Sequence, residues 1–252
     1  MAKVLFPLPD RDFDVTEVAV PWKLLREAGH DVVFATEAGA TPAADPLLIT
    51  GVVFGKLGAE PEPLAFYREM EQAPEFVSPR RWSECHAADF DSLFLAGGHA
   101  PGMRQYLGSA EVQRITAELF ATEKPIAAIC HGVLVAARTK RADGNSVLHG
   151  LRTTCLPKYM ERTAFFSTFW RRGRYYRTYP AYVEDEVRGA LAAPGDFERG
   201  PRNLTKRGTR EDDSVAFVVE DGRYMSGRWP GDAYLLAKKL IAALSATARI
   251  SA

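Results

Sequence analysis

The stretch KPIAAICHGVLVAAR, residues 124–138, sets a cysteine and a histidine side by side at the end of an apolar run and directly before a glycine. A strand that turns sharply into a helix presents one side chain at the apex, and a small residue after it lets strand and helix approach. Serine or cysteine at such an apex is a nucleophile. Cys130 occupies the apex here and Gly132 the small position. A cysteine so placed faces the start of a helix, whose unpaired amides favour thiolate over thiol. The plainer account, a small apolar residue ending a core strand, leaves the adjoining His131 and Gly132 without a purpose.

Two further stretches offer partners for such a thiol. LAGGHAPG, residues 95–102, places Gly97, Gly98 and His99 at the end of another apolar run. Consecutive glycines there let backbone amides turn outward toward a developing oxyanion, and the amide after the nucleophile supplies a second donor. Glu17, in DVTEVAV, lies among apolar neighbours after the first apolar run. It complements a helix start at the least; in an apolar pocket beside a thiol it is an acid of raised pKa, able to move a proton.

The elements that must position these residues are short apolar runs alternating with amphipathic stretches, the pattern of a parallel sheet covered by helices. KVLFPLP, DVVFATE, SLFLAGG and PIAAIC read as four strands, apolar throughout because both faces are covered. Asp14 caps a helix ended by Gly29, with Pro21 either starting or kinking it. SAEVQRITAELFATEK and GDAYLLAKKLIAAL read as helices, LRTTCL as a strand, and SVAFVVEDGRYMSG as a hairpin about Asp221-Gly222. The fold class expected is α/β, a flavodoxin-like doubly wound, mostly parallel sheet sandwiched by helices. One domain spans residues 1–252, with an insertion after the second strand, about 40–90, carrying a short helix near PLAFYREMEQ. Ligands of such sheets bind at the carboxyl ends of the strands, where the three stretches converge.

Lysine plus arginine and aspartate plus glutamate number 32 each, so formal charge is zero and no global field draws in nucleic acid or a membrane. FFSTFWRRGRYYRTYP, residues 165–180, concentrates aromatics and arginines; we read it as a covering or dimer-forming segment and not a nucleic-acid site. The N-terminus lacks the length and cleavage site of a signal peptide, and no apolar run suits a bilayer, so a cytoplasmic protein is expected. Cys85, Cys130 and Cys155 have no metal-type spacing. His86 with Glu84 or Asp89 is read as a solvated loop, so no metal is expected.

AICHG, LAGGHAPG, the early TE and the order of elements together resemble the PfpI superfamily, whose members share a class I glutamine-amidotransferase-like fold. The chain is most similar to the branch containing the heat-shock chaperone with glutathione-independent glyoxalase (glyoxalase III) activity. That resemblance implies Cys130 as nucleophile, His131 and Glu17 in the catalytic set, Gly97, Gly98 and His99 at the oxyanion site, and Glu161 in CLPKYMER as the third triad carboxylate. It places Arg228 and Trp229 of GRWPGD near substrate, where the family often has Gly-Gln-Asn-Pro. Ala100 and Pro101 replace the family's usual glycine after His99, and Pro101 has no amide hydrogen to donate. No histidine follows His149, which excludes the glutaminase chemistry of the fold. The implied function is conversion of a small carbonyl substrate, a 2-oxoaldehyde such as methylglyoxal, to a hydroxy acid, without cofactor and in a homodimer. A stress-associated holdase, or a cysteine peptidase or amidase, is the alternative.

Overall fold

A computed structural model of the chain describes residues 1–250. Strands β1 (Lys3–Pro7), β2 (Arg11–Phe13), β3 (Asp31–Thr36), β4 (Ala43–Ala44), β5 (Arg80–Arg81), β6 (Ser92–Leu95), β7 (Ile126–Ile129), β8 (Val218–Asp221) and β9 (Tyr224–Gly227) form two sheets. The main sheet runs β5-β3-β1-β6-β7-β9-β8; all its pairings are parallel except β8 with β9. Strands β2 and β4 pair separately. The helices are α1 (Val15–Glu27), α2 (Pro46–Thr50), α3 (Pro61–Met70), α4 (Pro74–Val77), α5 (Met103–Leu107), α6 (Ala110–Phe120), α7 (Val133–Arg138), α8 (Lys158–Arg172), α9 (Val183–Gly189) and α10 (Ala233–Ile250). Helix α1 packs with α3 and α10 on one face, and α7 with α5, α6 and α9 on the other. This is the expected flavodoxin-like arrangement. Every residue of β6 and β7 is buried, which is why these strands are apolar without alternation.

Asp14 starts α1 as expected, its carboxylate accepting from the amides of Thr16 and Glu17 at 2.8 and 3.0 Å. The helix runs through Pro21 instead of beginning there. The segment 40–90 does carry a helix over PLAFYREM, but it is woven into the fold: Tyr67, Met70, Phe76 and Trp82 join the one core, and β5 is an edge of the main sheet. The hairpin forms with Gly222 at φ 59°.

LRTTCL is not a strand. Strand β9 already pairs with β7 on one side and β8 on the other, so residues 151–156 have no free edge beside it. They approach through side chains: Ser226 Oγ accepts from the Thr154 amide at 2.9 Å, and the Thr153 hydroxyl meets Tyr224 and Ser226. Only Thr153 makes a lone bridge, to Phe197. Among the described residues no helix is long and apolar enough to cross a membrane.

Candidate active site

Cys130 follows β7 with φ 56°, in the left-handed region that a side-chain-bearing residue enters at a cost of about 1–3 kcal/mol. The turn Cys130–Gly132 then leads into α7. It is held from below by Gly132, where a Cβ would stand 2.2 Å from the Leu95 carbonyl oxygen and 2.6 Å from that of Ala96. A glycine is therefore what lets the turn sit on the end of β6. Gly97 serves the same convergence from the other side. A Cβ there would lie 2.5 Å from Glu17 Oε2, 2.8 Å from the His131 amide nitrogen and 2.9 Å from Cys130 Cβ.

Glu17 is fully buried in the first turn of α1. Its Oε2 accepts from the Gly97 amide at 2.9 Å; its Oε1 is buried without a hydrogen-bond partner, and the Cys130 thiol is the side chain that interacts with the carboxyl. Burial, reinforced by the nearby Asp14, pushes the Glu17 carboxyl well above the usual range. Burial also pushes the Cys130 thiol up, with Glu17 and Asp14 adding to it and the His131 amide opposing. The thiolate expected from the helix start is thus opposed by desolvation and by two acids. Two negative charges on the pair are opposed both by burial and by each other.

His131 Nδ1 lies 3.5 Å from Cys130 Sγ, and Nε2 lies 3.2 Å from the Thr178 hydroxyl. That hydroxyl donates its only hydrogen to the His99 carbonyl at 2.6 Å, so it accepts from His131 Nε2–H. The remaining lone pair, on Nδ1, then faces the sulfur. Burial lowers both His131 and His99 to a pKa of about 3 and keeps them neutral.

Cys130 opens on a cavity of about 330 Å³. Leu48, Leu156, Met160, Ala164, Leu204 and Trp229 give it a mainly apolar wall, with Asp14, His99, Glu161 and Arg207 contributing polar groups. Among the described residues no group of three His, Cys, Asp or Glu side chains is placed to hold a metal ion.

A match to the description "ThiJ/PfpI family-like" extends over residues 8–201, and so takes in the elements from β2 to α9. The chain belongs to the ThiJ/PfpI-like family. This ThiJ/PfpI-like chain is 26% identical over 231 residues to a Pyrococcus abyssi protein named as a deglycase, covering 91% of this chain and 92% of that one. It is 27% identical over 144 residues to a glutathione-independent glyoxalase of Schizosaccharomyces pombe, covering 55% and 56%. The fold superimposes on a crystal structure of glyoxalase III from Candida albicans with a TM-score of 0.68 at 20% identity, covering 96% and 97%.

Three expectations for this ThiJ/PfpI-like site need correction. Glu161 reaches the cavity but not His131: its carboxylate accepts from the Val183 amide at 3.1 Å and faces Arg177 Nε at 3.4 Å. The side chain that bonds His131 Nε2 is instead the Thr178 hydroxyl, at 3.2 Å. Burial raises Glu161 to a pKa of about 7. Arg228 is not among the residues lining the cavity over Cys130. It is fully buried, bonded through Nε and Nη2 to the Asp232 carboxylate at 2.9 and 3.0 Å and through Nη1 to the Pro201 carbonyl. Its neighbour Trp229 does line the cavity. Gly97 gives its amide to Glu17, so it has none for an oxyanion. Gly98 turns the chain at φ 145°, and His99 stands between the Tyr175 and Tyr176 rings, 4.5 and 4.3 Å away.

Thr178 escaped the sequence because nothing in RTYP distinguishes it before folding brings it 47 positions back to His131. Asp14 was legible only as a cap. The cavity face of α8 did have a signal, since Met160, Ala164 and Ser167 recur at helical spacing.

Asp14 supplies a pH test of this enclosure. Burial raises it from 3.8 to about 6, so its contribution to stability is whole below the ordinary value and is lost as pH rises through the folded one. Asparagine caps equally well and does not ionise. The stability of Asp14→Asn relative to wild type should therefore climb by roughly 3 kcal/mol across that window and be flat above it, read from urea midpoints at a series of pH values.

Proposed function

We propose that this chain is a cysteine-dependent enzyme acting on small reactive carbonyls, converting a 2-oxoaldehyde to the corresponding 2-hydroxy acid without glutathione. The observation that carries the reading is that Cys130, at a left-handed apex, lines a mainly apolar cavity and has the buried carboxyl of Glu17 and Nδ1 of His131 behind it. The glyoxalase and deglycase names of similar proteins support it.

In the productive state the Cys130–Glu17 pair has lost one proton, leaving sulfur anionic and the carboxyl protonated. Sulfur forms a bond to the aldehyde carbon, and the carbonyl electron pair moves to oxygen, which takes the Glu17 proton to give a hemithioacetal. The Glu17 carboxylate so formed removes the hydrogen of that carbon as a proton and delivers it to the neighbouring carbon through an enediol. The product is a thioester of the hydroxy acid. Water cleaves the carbon–sulfur bond, releasing the acid and restoring the pair. The His131 amide stabilises the oxyanion, and the His131 ring, held through Nε2 by the Thr178 hydroxyl, keeps Nδ1 3.5 Å from the sulfur. Chemistry written this way needs no metal or organic cofactor.

The test is formation of hydroxy acid, by chiral chromatography, from methylglyoxal and from the bulkier phenylglyoxal, whose ring suits the apolar wall. Wild type is expected to convert both, favouring the phenyl compound in kcat/KM, and Cys130→Ala neither. Equal rates in wild type and Cys130→Ala would end the proposal.

A second reading, a holdase, draws on one observation: Phe54, Phe166, Phe169 and Trp170 are all more than half exposed, a patch of the kind that binds apolar chains. Aggregation suppression that persists in Cys130→Ala is its mark.

A further inference from the structure

Beyond the catalytic cavity, the structure has a second concavity of about 510 Å³ whose rim carries Arg104, Arg171, Arg172, Arg174 and Arg177. In a chain of zero formal charge, five guanidiniums around one groove concentrate positive potential that must otherwise be offset. Most arginines that form ion pairs elsewhere in the fold do so with a carboxylate that answers them directly, as Arg138 does with Glu186 and Arg223 with Glu123. At this groove only Arg177 reaches one, Glu161 at 3.4 Å. Among the described residues the other four make no ion pair. The nearby Asp45 is engaged by the Tyr175 hydroxyl and the Leu47 amide.

What holds these side chains is neutral. Arg104 Nε donates to the Thr178 carbonyl at 2.8 Å and Arg172 Nε to the Val52 carbonyl at 2.5 Å. Arg171 lies over the Phe54 ring at 4.5 Å, and Arg177 over Tyr182 at 3.7 Å while donating to the Pro180 carbonyl. Backbone carbonyls and ring faces fix a guanidinium without cancelling its charge. Fixing the Nε end also leaves the two terminal nitrogens of Arg104 and Arg172 available, the fork that fits phosphoryl oxygens in pairs.

We infer that this arginine groove is a binding site for a small, multiply charged phosphoryl compound, separate from the cavity over Cys130. A compact anion fits better than a polynucleotide. The positive groups ring one concavity instead of forming a track, and the chain as a whole has no net charge to support an extended phosphate backbone. The site is also adjacent to the chemistry. His99 lines both concavities, and Thr178, at the base of the groove, holds His131.

Inorganic tripolyphosphate and metal-free ATP are the probes, titrated calorimetrically into the full chain at low and moderate sodium chloride, with sulfate and a single-stranded DNA oligomer as comparisons. One saturable site is expected for tripolyphosphate, weakening with salt; ATP binding as well would extend the class to nucleotides, and its failure beside tripolyphosphate binding would confine it to unadorned phosphoryl chains. The double variant Arg171→Gln/Arg174→Gln is expected to bind at least about tenfold more weakly, and Cys130→Ala as well as wild type. Both substituted arginines are exposed, and a circular dichroism spectrum matching wild type confirms the fold. Should the double variant fail that check, Arg174→Gln alone, whose side chain makes no hydrogen bond or ion pair among the described residues, replaces it. No saturable binding at low salt, undiminished binding by the arginine variant, or tighter binding of the DNA oligomer would overturn the inference. Because the readout is binding, it stands or falls apart from turnover at Cys130.

Discussion

Glu17→Gln is expected to lower turnover of 2-oxoaldehydes by about 10²–10⁴-fold, the range of a lost proton-transfer group, while Cys130 stays open to alkylation by iodoacetamide. The two readouts separate because Glu17 acts once on the thiol and once on the substrate. Its carboxyl raises the sulfur's pKa, so an amide in its place leaves the thiol as easily ionised as before or more so. What the amide cannot do is take the hydrogen from one carbon and return it to the next. An amide also keeps the shape of the pocket, since its oxygen can accept from the Gly97 amide as Oε2 does. Mass spectrometry of the alkylated protein and chromatographic assay of the hydroxy acid on one preparation make the comparison. Turnover within a few-fold of wild type would remove Glu17 from the mechanism; a thiol that no longer alkylates would make its role one of activating sulfur.

Gly132→Ala should be the most damaging single-atom addition near the site. The new methyl would meet the carbonyl oxygens of Leu95 and Ala96 at 2.2 and 2.6 Å, and these belong to the backbone at the end of β6, a strand paired on both sides with β1 and β7. Neither neighbour can swing away as a flexible side chain would. The turn must lift off the sheet, taking Cys130 with it, at a cost of about 3 kcal/mol. A lower urea midpoint at unchanged slope, together with lost turnover, is the expected result; a wild-type midpoint would mean that the turn has slack the geometry does not show.

The candidate site was legible wherever a residue type and its local setting coincide. Cys130, His131 and Gly132 are three residues of one turn, and the apolar runs before them and before Gly97 already specify parallel strands. Placing Glu17 beside them required only the rule that strand ends of such a sheet converge. Long-range partners were opaque. Thr178 carries no pattern, and the triad carboxylate sought at Glu161 went instead to face Arg177, a residue sixteen positions further along the chain that only the return of the chain after α8 brings near. Arg228 was placed near substrate by the position of GRWPGD in the family pattern; Asp232, four residues on, answers its charge and permits full burial. LRTTCL had the composition of a strand, but composition says nothing of whether an edge is free.

The two ends of the main sheet bear on how this chain meets others. One outer strand, β5, is two residues long and both are arginines, exposed to solvent. The other, β8, ends in Glu220 and Asp221, and Lys239 pairs with Glu220 across it. A short charged edge gives an incoming strand neither length to register against nor an apolar face to bury. Ribbon-like growth of the main sheet onto another is thereby disfavoured at both margins.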